Sequence, residues 1–235
     1  MILRKNAVAI ITARGGSKRI PKKNIRSFLG QPIIQYSIDA ALQSGCFDLV
    51  MVSTDSEEIA MISRASGAFI PFLRSAKSSD DQSTTAEVLE EVLCELHKTD
   101  QLFEYFCCIY PTAPFVNKDK LREAYFQLKN STADGIIPVC RFSYPILRSL
   151  KIENGLAKMN WPENLNSRSQ DLPPAYHDCG QFYFFRTDRF LTTRSLFTEH
   201  TLALEVPESE VQDIDTEEDW KIAEVKYSLL LKKRP

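Results

Sequence analysis

Up to about residue 140, short unbroken apolar runs alternate with longer stretches of helical period. Ala7 to Thr12 is such a run and predicts a buried strand. From Pro32 to Leu42, residues Ile33, Ile34, Ile38, Ala41 and Leu42 share one helical face. Leu49 to Ser53 predicts the next strand, followed by a helix from Ser56 to about Ser66 with two glutamates in its first turn. The periodic stretch Thr85 to Leu96 precedes Tyr105 to Tyr110. That run is apolar on successive residues, as suits a parallel strand covered on both faces. The βαβα order predicts an α/β fold.

From about Phe142 to Tyr176 both periods lapse. The stretch carries Pro145, Pro162, Pro173 and Pro174 and the turn candidate Glu153-Asn154-Gly155, and so predicts a hairpin-bearing excursion from the main sheet. Excursions of this length are usually functional or make subunit contacts. Strand-like runs resume at Gln181 to Phe185 and Thr201 to Val206, and the last helix is expected from about Thr216 to Leu231. With no internal repeat or low-complexity segment, one domain over 1–235 is expected, with 142–176 as its excursion.

Composition narrows the partners. The chain has 235 residues, 43% hydrophobic and 26% charged, enough to bury roughly three quarters of its unfolded surface. Its 29 basic and 31 acidic residues leave a net charge of −2, so no overall cationic field favours a nucleic-acid polymer or a membrane surface. An anionic partner must be held locally. The opening apolar run is too short for a membrane span, and a soluble, cytoplasmic protein is expected. The six cysteines show no CxxC spacing and predict small buried thiols, while the three histidines lack HxxxH spacing.

The strongest local signal runs from Thr12 to Asn24, directly after the first predicted strand. Gly15 and Gly16 allow backbone N–H groups to turn toward an anion, and Arg14, Lys18, Arg19, Lys22 and Lys23 place five cations within ten residues. This reads as a polyphosphate cradle, with a solvated basic loop as the alternative. It matches neither a Walker A loop nor G-x-G-x-x-G. A second signal is Asp213-Ile-Asp215: in an extended segment both carboxylates face one side about 7 Å apart, suited to a hydrated magnesium ion that also touches phosphate. The alternative is that Asp215 and Thr216 only cap the last helix. A third signal is the polar stretch from Asn166 to Tyr183, where Arg168 suits a carboxylate and His177 stands among Asp178 and Gln181.

Together these segments resemble the CMP-sialic acid synthetase superfamily, the cytidylyltransferases that activate nine-carbon acidic sugars. The resemblance rests on ARGGSKRIPKKN, VSTDSEEIA, PFLRSAKSSDD, YPTAPF and DIDTEEDW, and covers nearly the whole chain. It implies a Rossmann-like, three-layer nucleotidyltransferase fold with a mainly parallel sheet and a small dimerisation element. It further implies that Arg14, Lys18, Lys23 and Asn24 hold the triphosphate of CTP, that Ala13, Gly15, Gly16 and Ser17 also belong to the nucleotide site, and that Arg74, Ser83 and Thr85 lie near the cytidine. Asp213 and Asp215 would bind Mg2+ and, with Arg14 and Lys23, carry the catalysis. Tyr110, Arg168, Gln170, His177, Gln181 and Tyr183 would meet the acidic sugar, and the protein would be a homodimer.

Departures from the sialate pattern fall at Tyr110-Pro-Thr-Ala-Pro114, Arg168-Ser169 and His177-Asp-Cys-Gly180, and the combination of YPILR with RSQDLPPAYHDCGQFY looks like the pseudaminic acid branch of bacteria that glycosylate flagellin or other surface structures. The implied reaction is attack of the sugar's anomeric hydroxyl on the α-phosphorus of CTP, with release of pyrophosphate. The alternatives are the same chemistry on legionaminic or sialic acid, and a glycosyltransferase that uses the Asp-x-Asp pair.

Overall fold

The structure is a computed structural model that describes residues 5–75 and 83–233. In chain order its elements are β1 (Lys5–Thr12), the short hairpin β2 (Ser27–Phe28) and β3 (Gln31–Pro32), α1 (Ile33–Ser44), β4 (Leu49–Ser53), α2 (Glu57–Ala65), α3 (Thr85–Lys98) and β5 (Phe103–Ile109). There follow α4 (Lys118–Lys129), β6 (Gly135–Arg141), the hairpin β7 (Leu150–Glu153) and β8 (Leu156–Met159), β9 (Tyr176–Asp178), β10 (Phe182–Arg186), α5 (Thr187–Thr193), β11 (Thr201–Glu205) and α6 (Glu217–Lys233).

The main sheet runs β11-β6-β10-β5-β1-β4, with β9 also paired to β6. β1 lies parallel to β4 and β5, and β11 lies parallel to β6, whereas β10 is antiparallel to both its neighbours and β9 is antiparallel to β6. The sheet is therefore mainly parallel, as the resemblance implies. Three layers follow from the side-chain alternation of its central strands. Ala7, Ala9 and Ile11 of β1 pack toward Ile34 and Ile38 of α1, Ile59 of α2 and Leu121 and Leu128 of α4, while Val8 and Ile10 pack toward Leu89, Val92 and Leu96 of α3 and Phe190 of α5. Both faces are covered, which is why the strand reads as one continuous apolar run. Removing each such aliphatic side chain from water contributes about 1.5–3 kcal/mol.

Local chemistry sets the boundaries. Gly45 adopts φ +65° and closes α1 in a left-handed cap, while Thr84 and Glu87 form a reciprocal capping box at the start of α3. At Gly135 a β-carbon would stand 2.5 Å from the Phe185 ring, so only glycine lets β6 approach β10 there. In the stretch from 142 to 176, Asn154 and Gly155 take positive φ at the tip of the β7–β8 hairpin, as Asn-Gly turns do. α6 packs through Trp220 and Ala223 onto Phe28, Ile33 and Phe115, apart from the sheet.

The chain leaves β1 through α1 to reach β4 on one side, then crosses to β5 on the other. The strand order thus reverses between β1 and β5, and their C-terminal ends open a crevice where open α/β sheets bind ligands. All six cysteines are free, and four are buried. Cys94 is exposed and Cys46 half-buried, so those two depart from the expectation of buried thiols. Among the described residues no helix is long and apolar enough to cross a membrane.

Candidate active site

A cavity of about 710 Å³ occupies the crevice between β1 and β5. Arg14, Ser17, Lys18, Arg19, Lys23 and Asn24 line one wall, and Arg74, Ser83, Thr85 and Tyr110 line the other. The fold therefore brings most of the anticipated nucleotide residues, from four separate segments, around one space. Ala13 is buried behind it, donating its N–H to the Ser53 carbonyl at 2.9 Å. The PFLRSAKSSDD segment contributes Arg74; its residues 76–81 lie outside the described residues.

The basic loop is held by its own polar groups. Asn24 is buried and donates from Nδ2 to the Arg14 carbonyl at 2.8 Å, fixing the backbone that carries Arg14. Gly15 does not offer its amide to an anion: its N–H donates to Asp55 Oδ1 at 2.7 Å, and Ser17 N–H folds back onto the Gly15 carbonyl at 3.1 Å. The glycine pair thus serves as a tight turn pinned by the β4–α2 loop. Lys22 turns away to Glu58 at 2.7 Å. Cationic side chains, more than an amide nest, give this wall its charge.

The Asp213–Asp215 segment meets that wall although it lies almost two hundred residues away in sequence. Asp215 Oδ2 is 2.9 Å from Arg19 Nη1, and Lys23 Nζ donates to the Ile214 carbonyl at 2.7 Å and stands 3.4 Å from Asp215 Oδ1. Ile214 is buried between two more exposed aspartates, so the local alternation directs both carboxylates outward. The capping alternative resolves onto a different pair. Asp219 Oδ2 accepts from Thr216 N–H at 2.8 Å while Thr216 Oγ1 accepts from Asp219 N–H at 3.2 Å, which leaves the Asp215 carboxylate outside the cap. Partial desolvation, and then the neighbouring charge of Asp215, push the Asp213 carboxyl above the usual carboxylate range; Lys23 opposes them. Among the described residues no three acidic, histidine or cysteine side chains cluster as a metal cage. Any cation at this pair must draw further ligands from elsewhere.

A cationic cleft at the strand-order reversal, two of whose lining cations hold the Asp215 carboxylate, is the geometry of a site for a nucleoside triphosphate. The sequence pattern of the cytidylyltransferase family matches residues 8–220. The chain belongs to that family. A pseudaminic acid cytidylyltransferase from Campylobacter jejuni is 41% identical over 94% of this chain and 96% of its own length. The CMP-N,N'-diacetyllegionaminic acid synthase of Legionella pneumophila is 32% identical over 92% and 94%. A CMP:2-keto-3-deoxy-manno-octonic acid synthetase solved with CTP superposes with a TM-score of 0.68 at 18% identity, over 97% of this chain and all of that one.

At the far end of this cytidylyltransferase cavity, Arg74 is buried. Its Nη2 reaches the Ser53 carbonyl at 3.4 Å while Nε is without a partner, and burial lowers its pKa despite Asp55 and Glu91 nearby. A buried, unpartnered guanidinium N–H on a residue that lines the cavity suits a ligand acceptor. Thr85 Oγ1 is 3.3 Å from the Tyr110 hydroxyl.

The anticipated sugar residues divide. Tyr110 lines the cavity and Tyr183 packs beside it. Gln181 is buried and donates Nε2 to the Glu210 carbonyl at 2.7 Å, tying β10 to the segment that leads into Asp213. His177 packs against Phe142 with ring centroids 4.9 Å apart, and its Nδ1 is 2.9 Å from the Asp178 carbonyl. Arg168 is exposed and paired with Asp171 at 2.7 Å, and Gln170 lines a separate groove with Phe142 and Pro173. Neither borders the β1–β5 cavity. The sequence reading did not single out Asp55, which anchors the loop, or the role of Arg19 toward Asp215. Asp55 stood inside a recognised segment, but only the fold brings it under Gly15.

Proposed function

We propose that this cytidylyltransferase couples CTP to pseudaminic acid, giving the CMP-sugar and pyrophosphate. The observation that carries the reading is the contact of the Asp213–Asp215 segment with Arg19 and Lys23, two of the cations that line the cavity. The 41% identity to a pseudaminic acid cytidylyltransferase along nearly the full length of both chains supplies the sugar.

In this reading the anomeric hydroxyl oxygen forms a bond to the α-phosphorus, the bond from that phosphorus to the bridging oxygen breaks, and pyrophosphate leaves. The hydroxyl proton passes to water. Arg14, Lys18 and Lys23 hold the phosphates and offset the charge that gathers on the leaving group, in a site shaped before the reaction starts. Arg74 and Thr85 orient the nucleoside, and Tyr110 and Tyr183 face the sugar.

The paired aspartates fit a magnesium ion: two carboxylates, one of them pushed toward protonation by burial and then by the other, gain from a shared hard cation that takes its remaining ligands from phosphate and water. Asp213 and Asp215 would hold it, and when bound it supplies positive charge to the phosphate oxygens. In the absence of a cation, Arg19 and Lys23 neutralise Asp215.

The homodimer belongs to the same reading. Tyr144 is 85% exposed, Ile152 79% and Leu165 61%, an apolar set concentrated on the excursion and suited to a second copy of the chain. Arg168 and Gln170 then lie beside a subunit contact. A cytoplasmic location suits a CTP-consuming enzyme.

Incubating purified protein with CTP, magnesium and a panel of nonulosonic acids tests the reading. Pyrophosphate release with pseudaminic acid is expected; faster turnover of legionaminic or sialic acid, or no release with any acid, overturns it. Size-exclusion chromatography with light scattering should give a dimer, and Ile152→Asp with Tyr144→Asp a monomer.

A further inference from the structure

The segment Ser53-Thr54-Asp55, where the chain leaves β4, holds both walls of the cavity. The Ser53 carbonyl accepts from Ala13 N–H at 2.9 Å and from Arg74 Nη2 at 3.4 Å, and the Thr54 carbonyl accepts from Arg74 N–H at 2.8 Å. Asp55 Oδ1 accepts from Gly15 N–H at 2.7 Å. Ser53 and Thr54 are buried, and the Thr54 hydroxyl accepts from Ser56 N–H at 3.1 Å, which turns the chain so that Asp55 meets the loop. The loop that carries Arg14 and the arginine at the other end of the cavity are therefore tied to the same three residues.

The bond to Gly15 completes a clamp. The Arg14 carbonyl and the Gly15 N–H belong to one planar peptide unit. Its carbonyl accepts from Asn24 Nδ2 at 2.8 Å and its N–H donates to Asp55. Held at both ends, the unit cannot turn about the line joining its two α-carbons, so the direction in which Arg14 leaves the backbone toward the cavity is set. Gly15 permits the approach: a β-carbon there would stand 3.1 Å from Ser56 Cβ.

Charge gives no reason to place Asp55 there. A carboxylate against the loop of an anion site repels the ligand that the surrounding cations attract. We propose that Asp55 is a positioning residue: through the Gly15 amide it aims Arg14 at the phosphates of the nucleotide, and the site uses its acceptor oxygen at the expense of its charge. The inference rests on the reading of the cavity as the CTP site and deepens it.

Position and charge predict opposite signs, which calorimetry with magnesium and either CTP or inorganic tripolyphosphate can read. Asp55→Asn keeps an oxygen that accepts and removes the charge, and should bind both ligands as tightly as the unaltered protein or up to about threefold more tightly. Asp55→Ala removes both and should bind both ligands about tenfold more weakly, the scale of one charge-assisted hydrogen bond from a misaimed Arg14. In an Arg14→Ala background Asp55→Ala should add less than about twofold, because it acts through Arg14.

Tighter or unchanged binding by Asp55→Ala would leave the carboxylate a repulsive charge and overturn the proposal. Equal losses in Asp55→Asn and Asp55→Ala would assign the effect to the charge, which favours the charged form of the buried Arg74, and also overturn it. So would additive losses in the double variant, or a loss that vanishes in an Arg74→Met background instead. If the unaltered protein binds neither CTP nor tripolyphosphate, the reading of the cavity itself falls, before any variant is compared.

Discussion

Lys23 binds Asp215 from across the whole sequence: its Nζ is 3.4 Å from Asp215 Oδ1 and 2.7 Å from the carbonyl of the residue before it. One ammonium thus fixes the position of the acidic edge and presents charge to the cavity it lines. Lys23→Ala should lower kcat about a hundredfold or more, the scale of losing a preorganised charge at a developing oxyanion. Because Asp215 keeps Arg19 at 2.9 Å, the melting temperature should change little. Pyrophosphate release and differential scanning fluorimetry on one preparation check both.

The proposed reading divides capping and metal binding between the adjacent residues Thr216 and Asp215, and the two can be removed separately. Thr216→Ala keeps its backbone N–H bond to Asp219 but loses both bonds of the hydroxyl, which accepts from Asp219 N–H at 3.2 Å and donates to Asp219 Oδ2 at 2.7 Å, and should cost about 1 kcal/mol of stability while kcat stays within about twofold. Asp215→Asn leaves the cap intact and should abolish magnesium-dependent turnover with an unchanged circular dichroism spectrum. If Asp215→Asn lowers stability as much as Thr216→Ala does, the two roles are not separate.

Asp213 carries a pH signature. Its carboxyl titrates above the ordinary carboxylate value because desolvation and Asp215 disfavour the charged form. A group that holds its proton more tightly when folded adds stability below its unfolded pKa, and that contribution is lost as pH rises through the folded pKa. In EDTA, the unaltered protein should therefore gain less stability, or lose more, than Asp213→Asn as pH rises from about 4 to 6. Magnesium should close the gap at neutral pH. Parallel pH curves for the two proteins would contradict the assignment.

The legible parts of this molecule are those whose pattern was local. β4 falls on Leu49–Ser53 as its apolar run predicts, and the Glu153-Asn154-Gly155 turn sits at the tip of the hairpin. α4 and β6 drew no such reading. In α4 the stripe of Leu121, Ala124, Tyr125 and Leu128 is diluted by charges, and β6 carries Pro138 within a strand, which argues against one. Pro138 is tolerated because it lies in the gap between the β10 and β9 pairings of β6, where no ladder bond calls for its missing N–H, while its carbonyl accepts from Cys179 N–H at 3.2 Å. The antiparallel insertion of β10 between β5 and β6 is a matter of long-range pairing that no window of sequence contains. The site divides the same way. The cations and the Asp-x-Asp spacing were visible as residue types, whereas the capture of the Gly15 amide by Asp55, and the burial of Gln181, depend on segments that only the fold brings together.

Arg74 provides the test of the nucleoside end. Arg74 is 8% exposed, with one N–H to the Ser53 carbonyl and Nε without a partner. An unpaired buried donor costs about 1–3 kcal/mol, which a ligand acceptor recovers on binding. Arg74→Met keeps much of the aliphatic stem and removes both the cost and the bond. It should therefore leave the free protein as stable as before or slightly more so, while weakening CTP binding about tenfold or more by calorimetry. Arg74→Lys should not restore affinity, because an ammonium has no Nε–H and cannot reproduce the planar fork of the guanidinium. A loss of stability with unchanged CTP affinity would make Arg74 a structural residue of the β4 edge and remove it from the site.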